Sequence, residues 1–312
     1  MIDFRYHLVS IVAIFLALAT GVALGAGPLN GPFSQGIASQ ADRNGDAEDE
    51  LRRQVADNRR VSGFQDDYAK AVAPMLLSSR LKDQTIAVFT LPGSEPDDVK
   101  GVVSDIKAAG GTVTTRVGLT GKLLDPSGRQ FAQGVAEQSI DGVAGVPSTA
   151  NQSNYELVGS ALGRAFLSEG DADERFDEGS ATITSAFKEA DLLTIAGANP
   201  TRRARLAVFV AGASGDDAKD GQGELVRTLA SAADVVSDGV VVGGPASAAR
   251  GSGVIKALRD GDAADTVSSV DVVDTPAGQI VTVLALQREA AGDSGHYGAV
   301  DPKDGAMPDL DG

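Results

Sequence analysis

Residues Leu8 to Gly27, LVSIVAIFLALATGVALGAG, form an uncharged apolar run that no other stretch of the chain approaches in length. About 20 helical residues at roughly 1.5 Å each cover a hydrocarbon core of about 30 Å. The run exceeds the h-region of a typical secretory signal, so a retained transmembrane anchor at 8–27 is expected, although Ala23-Leu24-Gly25 also fits a cleavage site. Arg5 precedes the run, and the chain beyond it turns acidic at Asp46, Glu48, Asp49 and Glu50. The positive-inside rule therefore places residues 1–7 in the cytoplasm and the rest outside it. His7 reads as an interfacial polar residue. Which membrane of a layered envelope holds the anchor is left open.

Inside the run Ala13, Ala17, Gly21 and Gly25 recur every four residues, so one helical face carries small side chains. Such spacing lets two membrane helices approach backbone to backbone. It predicts a homodimer or a membrane-protein partner through this face.

Composition removes several functions. The formal net charge of -16 disfavours nucleic acid and anionic lipid surfaces, since phosphate binding needs Lys and Arg. With no cysteine there is no disulfide framework, thiolate metal site or Cys nucleophile. Aromatic residues make up 4%, too few for base-stacking platforms.

After the anchor, residues 28–45 read as a polar linker and 46–82 as a juxtamembrane helix. Leu51, Val55, Val61, Phe64, Tyr68, Val72 and Met75 recur at spacings of three, four and six, with charged residues between them. That stripe packs either on the chain's own domain or as a short coiled coil, although Asn58 and Gly63 interrupt a clean heptad pattern. From Thr85 strands and helices alternate. Strands are expected at Thr85–Thr90, Thr112–Val117, Leu192–Ala196, Leu206–Val210, Val240–Gly243, Asp271–Val273 and Gln279–Ala285, the last open to running into a final helix through Arg288. Helices fit at Asp97–Ala109, Asn154–Leu167, Ser180–Ala190, Glu224–Ala233 and Gly253–Arg259. The alternation predicts a Rossmann-like α/β domain with a mostly parallel sheet over 83–291, followed by a flexible tail over 292–312.

Chemistry is sparse. The best phosphate-loop candidate, Val240-Val241-Val242-Gly243-Gly244-Pro245-Ala246, is neither GxGxxG nor a Walker motif, and reads as a structural turn. No GxSxG elbow is present, and His296 is the only histidine beyond the anchor. Asp271 and Asp274 sit among apolar residues and fit capping or turn roles. No catalytic or cofactor-binding residue is expected. Met1, Met75 and Met307 lie far apart, which leaves His296, with Met307 and nearby carboxylates in the tail, as a weak copper candidate.

The order of several blocks resembles one known family. MIDFRYHLVSIVAIFLALATGVALG, PMLLSSRLKDQTIAVFTLPG, AGGTVT leading to LTGKLLDP, SSVDVVDTPAGQIVTVLAL and the Gly295-His296-Tyr297-Gly298 segment are similar to the actinobacterial copper-transport family of the MctB type. The resemblance implies a membrane-associated envelope protein that limits intracellular copper, with His296 the one residue carried over as a metal candidate. It equally implies an alternative, a non-enzymatic anchored scaffold for cell-wall assembly or daughter-cell separation working through a second membrane protein.

Overall fold

The computed structural model describes residues 4–25, 30–147, 152–169, 175–214 and 221–310. The chain divides into two units, Met1–Gln65 and Asp66–Gly312. In the first, α1 (Phe4–Gly25) is a helix whose segment Tyr6–Ala23 is long and apolar enough to cross a membrane, with none of it buried. The helix α2 (Asn30–Leu77) starts in this unit and ends in the second. Residues 30–45 are thus helical where a linker was expected, and the junction at 26–29 lies outside the described residues. Local ion pairs, Arg52–Glu48 at 2.6 Å and Arg53–Glu50 at 2.9 Å, support α2 at i,i+4 and i,i+3 spacing.

The second unit is an α/β domain. Its strands are β1 (Thr85–Thr90), β2 (Thr112–Leu119), β3 (Leu193–Ile195), β4 (Leu206–Val210), β5 (Gly239–Gly243), β6 (Ser268–Val270) and β7 (His296–Tyr297). Among the described residues they form one sheet in the order β3-β2-β1-β4-β5-β6-β7. All pairings are parallel except β2 with β3. The helices between them are α3 (Pro96–Ala108), α4 (Arg129–Ile140), α5 (Asn154–Phe166), α6 (Glu178–Glu189), α7 (Gln222–Asp234), α8 (Val254–Asp260) and α9 (Pro276–Ala290).

Both faces of the sheet are covered, which is why its central strands read as unbroken apolar runs. Alternate residues enter two cores. Ala87, Phe89, Ala207 and Phe209 join the core under α4 to α8, whereas Ile86, Val88, Leu206 and Val208 join the core under α3 and α9. Phe89 and Phe209 stack at 4.7 Å across β1 and β4, and Phe166 of α5 meets Phe89 edge-on at 6.0 Å. In the second unit the carboxyl end of α2 docks through Ala69 and Leu77, and Arg80 donates to the Leu310 carbonyl at 3.2 Å.

Two expected strands are replaced. Gln279–Ala285 lies in α9, opened by the Thr275 hydroxyl, which accepts from the Gly278 N–H, and by Pro276 in the first turn. This helix is buried on most sides, so the polar face that would reveal its period is missing. Asp271–Val273 is a turn beyond β6, with Val272 at φ 65°. The flexible tail expected over 292–312 is also corrected. Its first residues form β7 beside β6, and Tyr297 enters the core.

Candidate functional site

Between β1 and β4 the direction of the connections reverses, and open α/β sheets bind ligands outside the strand carboxyl ends at such a point. A crevice of about 330 Å³ lies there, lined by Leu91, Gly93, Gly212, Ser214, Gln222 and Ser252 among others. No charged side chain lines it among the described residues. The two strand exits touch: a Cβ on Gly212 would stand 2.1 Å from the Gly93 carbonyl carbon. Backbone therefore packs against backbone where the two strands end, beside the crevice.

The helix N-terminus at the same end repels anions. α3 opens after Glu95 with Pro96, Asp97 and Asp98, so proline removes one N–H and carboxylates occupy the first turn. Burial, then Asp274, Glu95 and Asp97, pushes the Asp98 carboxyl above its usual range. The glycines after β5 serve packing, since a Cβ on Gly244 would meet Ala248 at 3.0 Å and Ala211 at 3.3 Å.

The densest polar cluster lies at the other end of the sheet order, around β6 and β7. Arg259 of α8 is 5% exposed and pairs with wholly buried Asp271 at 3.1 Å. It also donates to the Ser269 hydroxyl at 2.8 Å and to the Tyr297 and Val300 carbonyls at 2.8 and 2.6 Å. Asp271 accepts the Ala299 N–H at 2.6 Å and the Val300 N–H at 3.2 Å. Gly298, at φ 134°, allows this approach, because a Cβ there would stand 2.3 Å from the Asp271 Cγ. Asp274, read beside Asp271 in the sequence, is exposed.

His296 belongs to this cluster and not to a mobile end. It is 2% exposed, its ring Nδ1 lies 3.0 Å from the Ser269 Oγ, and its backbone N–H donates to the Asp304 carboxylate at 2.7 Å. Burial, then Arg259 and Lys303, holds the imidazole below its usual pKa. Its Nε2 faces no hydrogen-bond partner of good geometry, and a backbone contact to Ala264 only weakly favours its protonated form. Among the described residues no group of three or more His, Asp or Glu side chains is placed to hold a metal ion. Met75 is 75% exposed and Met307 37% exposed, neither in such a group.

A further buried carboxyl was not visible in the sequence. Glu289, near the end of α9, accepts the Ser268 N–H at 2.8 Å beneath β5 and β6. Burial pushes its pKa up to about 8, against the hydrogen bonds from Ser268 and Val240, while Asp234 adds repulsion. Asp234 itself is raised to about 6, chiefly by burial. Gly239 at φ 152° makes the room, since a Cβ there would strike the Glu289 side chain. The glycine was the one available signal.

On α1, Ala13, Ala17, Gly21 and Gly25 fall on a single continuous helix, and Ala13, Ala17 and Gly21 are exposed. A Cβ on Gly21 would meet nothing within 4 Å.

A Rossmann-like domain, carried with an apolar helix able to span a membrane, defines a membrane-anchored α/β protein. The chain belongs to the MctB family, whose description is copper transport outer membrane protein and whose match covers residues 1–308. It is 29% identical over 309 residues to the copper transporter MctB of Mycobacterium tuberculosis (strain ATCC 25618 / H37Rv), covering 96% of each chain. The corresponding protein of Mycobacterium bovis shows the same figures, and that of Mycobacterium leprae is 27% identical over 314 residues, again covering 96% of each chain.

Proposed function

We propose that this chain acts in copper homeostasis as a membrane-anchored envelope protein, with its amino-terminal end cytoplasmic and its α/β unit extracytoplasmic. The observation that carries the reading is the family match over residues 1–308, together with relatives named copper transporters. Arg5 before the span and acidic residues after it support the orientation.

The donor set favours an indirect part in copper handling. Cu(I) prefers thiolate and thioether sulfur, and this chain has no cysteine and three dispersed methionines. One apolar helix encloses no pore, and a barrel would need closed strands of alternating polarity. Copper is then the cargo of an assembly to which this chain contributes an anchor and a folded domain. No catalytic step enters this reading.

The test is cell-associated copper in a deletion strain and its complemented parent at moderate external copper. Excess copper in the deletion, reversed by complementation, is expected. Equal copper would retire the transport role. It would leave the second reading, a scaffold for envelope assembly or cell separation, which the small-residue face Ala13, Ala17, Gly21 and Gly25, exposed at the first three positions, favours through a helix–helix partner.

A further inference from the structure

From Gly45 to Gln65 no side chain of α2 is buried, and only Ala56 is even half-buried. A helix that buries nothing is marginal in water, and Gly45 and Gly63 each weaken it further. Something outside this stretch of chain must cover it.

The uninterrupted helix supports a heptad frame that its sequence only hints at. With Leu51 at position a, the a series is Leu51, Asn58, Gln65 and Val72, and the d series is Gln54, Val61, Tyr68 and Met75. Leu51, Val61, Tyr68 and Met75 are 60%, 56%, 62% and 75% exposed. Between Gly45 and Lys70 positions b, c and f hold Gly45, Asp46, Asp49, Arg52, Arg53, Ala56, Arg59, Arg60, Gly63, Asp66, Asp67 and Lys70, all of them small or charged. Gly63 therefore falls on the outermost position, where a Cβ would meet nothing within 4 Å. Asn58 and Gln65 fall on the seam, where polar a residues favour one register and strand number.

We propose that α2 pairs with α2 of a second copy of this chain as a parallel, in-register two-stranded coiled coil. The anchor decides the partner. Two chains held in one membrane through residues 6–23 must run α2 the same way and present each residue at the same height. Asn58 then meets Asn58 and Gln65 meets Gln65, and each amide carries both donor and acceptor for its counterpart. Charge agrees. In a parallel pair the acidic g residues Glu50 and Asp57 face Val55 and Ser62 of the second copy, whereas reversal would set acidic side chains against each other. This pairing is independent of whether copper is handled.

The native chain has no cysteine, so single-cysteine variants of the full-length protein in membranes report the seam directly. Val61→Cys and Tyr68→Cys should cross-link under mild oxidation into a species of twice the chain mass, in several-fold higher yield than Arg59→Cys, Gly63→Cys or Lys70→Cys. Val61→Glu should abolish the cross-link formed by Leu51→Cys while leaving the α/β core intact. Equal yields at seam and outer positions would overturn the proposal. So would adducts only of other masses, which would assign the seam to a different protein.

Discussion

Arg259 and Asp271 meet at 3.1 Å with side chains 5% and 0% exposed, and the segment after β7 closes over them. Removing one partner of a buried pair leaves an uncompensated charge, which costs about 3–5 kcal/mol. Asp271→Ala should lower the unfolding free energy by that amount and open residues 299–301 to proteolysis before the rest of the domain unfolds. Unchanged cleavage kinetics would show that the segment is held by other contacts.

Glu289 and Asp234 make stability depend on pH. Both carboxyls have folded pKa values raised by burial, to about 8 and about 6. The unfolded chain releases these protons at lower pH, so the stability they contribute is fully present below about 4. It is lost as pH rises through about 6 and then about 8. Asp177 acts oppositely. The Arg164 guanidinium at 2.6 Å holds it well below the usual carboxylate range, and its contribution disappears only in strong acid. Thermal unfolding should therefore show a midpoint that falls from about pH 4 to about pH 8, with the part above about 6 due to Glu289. In Glu289→Gln the upper part of that fall should vanish; a slope identical to the native one would place the titration elsewhere.

Gly93 and Gly212 pack backbone to backbone where β1 and β4 end. Gly212→Val should destabilise the domain by about 1–3 kcal/mol through overpacking against backbone. Chemical denaturation checks this, and a neutral effect would mean that the crevice is open enough to accept a ligand between the strand exits.

If the small-residue face of α1 brings membrane helices together, Gly21→Leu with Gly25→Leu should reduce association of the membrane segment while leaving the α/β unit folded. Proximity labelling in membranes reads this, and unchanged labelling would leave α2 as the main contact.

Much of the domain could be read from residues because its signals are local. Pro92-Gly93 after β1, Gly110-Gly111 after α3 and the apolar core of β4 mark their own boundaries. The failures have physical causes. α9 hides its period because burial on several sides removes the polar face, and β7 is too short to show alternation. The order of residues 292–310 depends on contacts with Arg259 and Asp271, which no neighbouring sequence announces. His296 was legible as a residue and not as an environment: its glycine-rich neighbourhood reads as mobile, whereas Gly298 is there to admit a buried carboxylate. Asn58 and Gly63, which interrupt the apolar pattern in the sequence, do not break the helix α2.

The central claim is that this chain serves copper homeostasis without passing metal through His296. The direct measurement is cell-associated copper in a deletion strain complemented either by the native chain or by His296→Asn, which preserves a polar group near the Nδ1 position facing Ser269. Both should restore the same low copper content at equal protein levels. Restoration by the native chain alone, with the variant folded and present in the membrane, would make His296 a ligand and contradict the account.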